Sequence, residues 1–206
     1  MLRIWGRLSS INVRKVVLAA QWLQVPFERI DAGHEFGVVK TPEYLAKNPN
    51  ALVPLLEDGD FSLWESNVIV RYLCAKHSAG RFYPQSLQER FNAERWMDWQ
   101  QATLNPAGRH AFVQLMRTPA ERRKPELIAQ SVADTEPLMA MLDEHLGQHA
   151  FMGGDAFGMA DIPIACEIHR WQGLPLQRPA RPALDRWYQG ILAQPASRGV
   201  LDLSLS

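Results

Sequence analysis

Pro54 is the residue that most constrains the fold. It lies in "NALVPLLED", an apolar run between polar turns that otherwise reads as a central strand. Proline there would delete a ladder hydrogen bond, and within sheets it is confined to edges, bulges and strand starts. The conflict resolves if Val53-Pro54 is a cis bond at the strand's entry. Cis bonds are only about 5–6% of X-Pro bonds in folded proteins. That geometry would turn the Val53 backbone outward, where its N–H and C=O can pair with an extended peptide.

Local signals order the elements around this strand. "LRIW" reads as a short buried strand, and "NVRKVVLAAQWL" as a helix with Val13, Val16, Val17, Ala20 and Leu23 on one face. "VPFERID" reads as a second strand whose entry Pro26 marks. In "TPEYLAK", Thr41 can cap a short helix with Pro42 in first position, where a missing N–H costs nothing. "LVPLLE" and "DFSLW" form a hairpin about Asp58-Gly59, and a helix from Ser66 to about Lys76 follows. The order strand, helix, strand, helix, strand, strand, helix describes an α/β domain over residues 1–78.

After "SAGRFYPQS", read as a linker, helical periodicity takes over, and residues 86–206 are expected to form an all-helical domain. "LQERFNAERWMDWQQATL" carries Phe91, Glu94/Arg95 and Asp98 at helical spacing, with Trp96 and Trp99 three apart. Thr118-Pro119-Ala120-Glu121 has the form of a capping box. A long amphipathic helix over "ELIAQSVADTEPLMAMLDEHL" is expected to kink at Pro137, and "GMADIPIACEIHRW" and "PALDRWYQGILAQ" supply two more helices.

Lys+Arg and Asp+Glu both total 22, so the formal net charge is zero. No block of like charge marks a surface for nucleic acid or an anionic membrane. No apolar run approaches the roughly 18 residues of a membrane helix, and "MLRIWG" lacks the regions of a secretion signal. Cys74 and Cys166 have neither CxxC nor metal-ligand spacing, which fits buried thiols in a reducing compartment and makes the cytoplasm the expected location. His110, His145, His149 and His169 show no metal pattern, so no metal is expected.

Glu65 and Ser66 open the helix after the hairpin. Both could serve that helix alone, as a first-turn acid and a cap. Alternatively, Ser66 and the N–H groups of the helix start could hold a ligand carboxylate.

The βαβ–ββα order, the Val-Pro before the third strand and the Glu-Ser pair together resemble the glutathione S-transferase family. The likeness is to its bacterial branch with "S-x-N-x-x-K" after the first strand, here Ser10-Ile11-Asn12-Val13-Arg14-Lys15. The resemblance covers essentially the whole chain, and "NPNALVPLLEDGDFSLWESNVIVRYL" is its most specific stretch. It implies a thioredoxin-like N-terminal domain with a mixed four-stranded sheet, then an all-helical domain. It implies glutathione as co-substrate, a small electrophile as second substrate, and a homodimer in which the α/β domain of one subunit packs on the helical domain of the other. Val53, ahead of Pro54, would pair with the cysteinyl backbone of glutathione. Ser66 would hold the γ-glutamyl carboxylate and Glu65 the α-ammonium group. Two departures stand out. The sixth-helix cap, usually Ser or Thr, is Gly158, with Asp161 at N3 and Phe157 and Ile162 as the hydrophobic staple. The residue before Val53, often a lysine facing the glycyl carboxylate, is Leu52, and Lys40 is the candidate to take over that end.

Only the thiolate of glutathione attacks efficiently, and a free thiol near pKa 8.5 is a few per cent ionised at pH 7. Lowering that pKa by about two units takes roughly 2.7 kcal/mol of preferential stabilisation of the anion. Ser10 and Asn12 in "RLSSINVRKV" are the candidate donors, with Ser9 a competitor for Ser10 and a plain helix cap the alternative for Asn12. The loop has no tyrosine, and no cysteine for a mixed-disulfide mechanism. The electrophile pocket is expected to draw on Trp99, Arg109, Phe112 and Met116, of which the aromatic and Met residues could equally be core. The expected activity is glutathione transfer. Glutathione-dependent disulfide or peroxide reduction is the same-fold alternative. A non-enzymatic dimerisation or glutathione-sensing module is the other, against which Ser10, Asn12, Val53, Glu65 and Ser66 together argue.

Overall fold

The computed structural model describes residues 1–205, which divide into two compact units, Met1–Gln85 and Ser86 onward. Residues 79–85 go with the first unit: Gly80 N–H donates to Tyr83 C=O at 2.8 Å, and Phe82 is buried.

The first unit is built on a four-stranded sheet in the order β2-β1-β3-β4. Strand β1 (Leu2–Trp5) runs parallel to β2 (Phe27–Ile30) and antiparallel to β3 (Leu55–Asp58), which forms a hairpin with β4 (Phe61–Trp64). Helix α1 (Ile11–Trp22) crosses from β1 to β2 and packs on α3 (Ser66–His77). The expected single apolar face of α1 is exceeded. Every residue from Val13 to Ala20 is buried, Arg14 and Lys15 included, and Leu23 lies past the helix end, half-buried. A crossover helix packed on both a strand and a neighbouring helix has little free surface, so Arg14 donates its Nε–H to the Leu8 carbonyl at 2.6 Å.

The Val53-Pro54 bond is cis, and β3 begins at the next residue, so no ladder position is lost to proline. The hairpin turn differs from expectation. Asp58 pairs with Phe61, which places Gly59-Asp60 at the centre, and only Gly59 takes a positive φ, +63°. Asp58 is kept as a strand residue by α3: its carboxylate accepts from Tyr72 Oη at 2.6 Å and from Lys76 Nζ. The short helix α2 (Pro42–Leu45) is capped by Thr41, whose Oγ1 accepts from Tyr44 N–H at 3.3 Å. Tyr44 meets Trp5 edge-on at 6.2 Å. Buried Glu57 accepts from Trp5 Nε1 at 2.8 Å and from Lys47, with Arg3 alongside. Burial alone would raise the Glu57 pKa, but these bonds and charges hold it below the ordinary carboxylate range.

The second unit is helical. Ser86, read as linker, is the N-cap of α4 (Leu87–Trp99). The chain then widens into a π-helical turn at Gln100–Leu104, continues as α5 (Asn105–Phe112), and widens again at Val113–Arg117. Pro106 in the first turn of α5 cannot donate to a carbonyl four residues back, and the wider turn accommodates that gap. The expected capping box at Thr118–Glu121 does not form. Thr118 Oγ1 instead donates to the Val113 carbonyl at 3.0 Å, satisfying an orphan acceptor at the preceding helix end, and only a short 3-10 turn follows. Helix α6 (Pro125–Gln148) continues through Pro137, α7 spans Asp161–Gln172 and α8 Pro182–Leu192. Asp143 on α6 caps α8 from outside, its Oδ1 accepting from Ala183 and Leu184 N–H at 2.9 Å each.

Asp161 is the polar centre of this unit. It is fully buried, and its carboxylate accepts from Met152 N–H, Gly158 N–H and Trp187 Nε1–H, all at 2.9 Å. The carboxylate half of the capping arrangement therefore survives although Gly158 brings no side-chain oxygen. Phe157 and Ile162 are buried beside it.

Candidate functional site

The site is built from loops at one edge of the first unit. After β1 the chain turns at Gly6, whose φ of +147° and closeness to Val13 and Val53 leave no space for a Cβ: one there would lie 2.4 Å from Val13 Cγ2 and 3.1 Å from Val53 Cβ. Ser10 then takes the N-cap of α1, its carbonyl accepting from Val13 and Arg14 N–H at 3.1 and 3.0 Å. A serine at this position ordinarily turns its hydroxyl back on the helix. Ser10 makes no such bond, and among the described residues the hydroxyls of Ser9 and Ser10 have no partner. Asn12 is one of the first residues of α1 and not its cap, so the capping alternative falls away.

Opposite lies the segment before β3. Leu52 is mostly exposed, while its carbonyl accepts from Tyr44 Oη at 2.6 Å and Asn48 Nδ2 at 2.8 Å. Burial pushes the Tyr44 hydroxyl up to about 12, so it stays a donor at any working pH. With Leu52 pinned, neither the N–H nor the C=O of Val53 has a hydrogen-bond partner among the described residues. Gly33, at φ +79°, lets a second loop close on this segment: a Cβ there would meet Arg7 Nη1 at 3.0 Å and Val53 Cγ1 at 3.3 Å.

The third wall is the start of α3. Glu65, not Ser66, occupies the N-cap, in the left-handed region at φ +72°, and its carboxylate makes no capping bond. A non-glycine residue there costs on the order of 1–3 kcal/mol and persists only where its surroundings impose it. Ser66 is the first helical residue and is buried, and its hydroxyl donates to Asn12 Oδ1 at 3.3 Å. That contact joins two helices across a separation of 54 residues. A Glu-Ser pair serving only its own helix would show the Ser hydroxyl or the Glu carboxylate on a first-turn N–H. Neither is there.

Lys40 is exposed in the loop before α2, with no ion pair among the described residues. Arg7 escaped the sequence reading. It packs on Gly33 near Val53, and its backbone N–H donates to Ala32 C=O at 3.3 Å. Its guanidinium makes no hydrogen bond or ion pair among the described residues and, after a backbone hydrogen bond, helps hold the Glu35 pKa down. Its only sequence signal is a basic residue one step after the glycine of the first loop.

The expected electrophile residues fall on α4, α5 and the π turn after it. Phe112 is core, with Arg117 over its ring at 4.8 Å and Arg170 at 5.5 Å. Trp99 is half-buried, edge-on to Trp96 at 5.4 Å, Arg109 is exposed and Met116 half-buried. A cavity of about 340 Å³ in the helical unit, between α6, α7, α8 and residues 178–181, is lined by none of these four. His145 and His149 stack on each other at 4.3 Å. Among the described residues there is no group of three or more His, Cys, Asp or Glu able to hold a metal, and no helix long and apolar enough to cross a membrane.

The models of the glutathione S-transferase N-terminal and C-terminal domains match residues 5–81 and 104–195. The chain belongs to the glutathione S-transferase family. It is 43% identical to glutathione S-transferase GstB of Escherichia coli (strain K12), across all of both chains. It is 30% identical to human glutathione S-transferase theta-1, over 93% of this chain and 82% of that one. Among solved structures it superposes, with a TM-score of 0.95 at 39% identity, on a theta class glutathione S-transferase from the citrus canker pathogen Xanthomonas axonopodis pv. citri with glutathione bound, covering 100% and 99% of the two chains. The thioredoxin-like first unit and helical second unit are those of this family.

Proposed function

We propose that this glutathione S-transferase lays glutathione along the first unit and holds its sulfur as the thiolate with Ser10. The observation that carries this reading is the N–H and C=O of Val53, unpaired among the described residues, an edge that a peptide backbone can complete. The γ-glutamyl carboxylate would take the Ser66 hydroxyl and the first-turn N–H groups of α3, where helix geometry leaves donors without partners. The Glu65 carboxylate, with no partner among the described residues, suits the α-ammonium group. Arg7 joins Lys40 as a candidate for the glycyl carboxylate, and the planar guanidinium can meet it with two parallel bonds. Ser10 and the start of α1 would stabilise the anion of sulfur.

The thiol proton passes to solvent and the thiolate attacks the electrophile. A carbon–sulfur bond forms as the leaving group departs with its electron pair. Arg109 is the member of the expected pocket set most open to solvent. Both cysteines are buried and neither is in a disulfide among the described residues, which fits action in a reducing cytoplasm.

Ser66→Ala tests the anchoring. Losing a hydrogen bond to a charged group costs about 1.5–3 kcal/mol, so glutathione affinity should fall about tenfold or more by calorimetry. The fold should survive, because Ser66 is not the cap of α3. Unchanged affinity would return the Glu65-Ser66 pair to a purely structural role.

A homodimer is the proposed working form. Apolar side chains are exposed on β4 and α3 of the first unit (Phe61, Trp64 and Val68) and on α4 of the second (Leu87 and Phe91). Trp96 on the same helix is buried against Trp99 and His145. Light scattering should report twice the 23.4 kDa chain mass at micromolar concentration, and a monomer there would refute it.

A further inference from the structure

We propose that the Ser66 hydroxyl changes partner when ligand binds, leaving Asn12 for the ligand carboxylate, so that recognition of the γ-glutamyl end releases Asn12 at the sulfur end. This rests on the glutathione reading above.

A serine hydroxyl carries one proton and can donate only one hydrogen bond. In the structure that proton goes to Asn12 Oδ1, and the pair joins the starts of α1 and α3. At 3.3 Å the contact is long for O–H···O, whose usual separation is about 2.7–2.8 Å. A carboxylate at the start of α3 offers a charged acceptor, and bonds of that kind are shorter and roughly twice as strong as neutral ones. The competition therefore goes to the ligand. Ser66 is only 4% exposed, so water is poorly placed to substitute for either partner.

Once Ser66 turns away, Asn12 Oδ1 loses its donor and the amide is free to rotate. Asn12 stands near the start of α1, two residues beyond Ser10, so its NH2 group can then turn toward the sulfur that Ser10 holds. A small thiol lacking the amino-acid end would leave Ser66 on Asn12 and gain less activation. Asn12 in this account is a positioning and gating group as well as a donor.

The consequence is that Asn12 opposes binding of a ligand that has no thiolate to reward its release. S-methylglutathione carries the γ-glutamyl end but cannot ionise at sulfur. Asn12→Ala leaves Ser66 with no partner to give up, and the strength of a neutral hydrogen bond makes binding about two- to tenfold tighter. In Ser66→Ala there is no bond to break, so adding Asn12→Ala should change nothing further. Calorimetric titration of S-methylglutathione into the wild type, both single variants and the double variant reads all four corners of this cycle. Asn12→Leu, of similar shape and without an acceptor, replaces Asn12→Ala if the latter does not fold. Tighter binding on Asn12→Ala that vanishes in the Ser66→Ala background is the expected result. Equal or weaker binding on Asn12→Ala overturns the exchange while leaving the glutathione site intact. Absence of saturable binding to the wild type would instead overturn the glutathione reading, and the exchange with it.

Discussion

Ser10→Ala should lower turnover at pH 7 roughly twentyfold while the Michaelis constant for glutathione moves little. The serine makes no capping bond, so α1 loses little with its hydroxyl. What disappears is a donor to the anion of sulfur. If the bound thiol returns from about two units below to its ordinary pKa near 8.5, the thiolate share at pH 7 falls from most of the population to a few per cent. Activity should recover as pH rises toward 9, because ionisation and not binding is the step that was lost. Thiolate absorbance of bound glutathione against pH reads this directly. Ser9→Ala is expected to be nearly silent, and the reverse pattern would move the role one residue back.

Asp161→Ala should cost about 4 kcal/mol of stability, read as a lower urea midpoint and a melting point roughly 10 °C lower. Three donors, Met152 N–H and Gly158 N–H from the loop before α7 and Trp187 Nε1–H from α8, would lose their acceptor in a fully buried place. A loss below about 1 kcal/mol would show that water replaces the carboxylate. The same residue sets a pH dependence. Burial pushes its carboxyl from 3.8 up to about 6, outweighing the three donors that pull it down. The folded state thus holds the proton more tightly than the unfolded chain. Its stability contribution is complete below about pH 4 and is lost as pH rises through about 6. Against Asp161→Asn, which does not titrate, the wild type should gain on the order of 3 kcal/mol between pH 7 and pH 4. A difference that ignores pH would contradict the raised pKa.

What the sequence determined by itself lies within a few residues along the chain. Pro54 allowed a strand only beyond it, and β3 starts at Leu55. Thr41-Pro42 set the start of α2, because a capping hydroxyl and its N–H are three positions apart. The same kind of signal failed where a nearer or stronger partner intervened. Thr118 satisfied the helix end behind it, and Asp58 was kept in its strand by Tyr72 and Lys76 from α3. The tertiary structure alone decided the rest of the candidate site. Nothing local in "WESN" forces Glu65 to φ +72°. Nothing in "RLSSIN" announces that Asn12 will meet Ser66, or that Arg7 will pack on Gly33 beside Val53. Of the donors on Asp161, Gly158 lies three residues away and belongs to the local capping arrangement, whereas Met152 and Trp187 come from 9 and 26 residues off. Capping and proline effects act within one turn of backbone and can be read from neighbours. Which hydroxyl, amide or guanidinium meets which acceptor depends on how helices and strands pack, and packing is decided by the whole hydrophobic core at once.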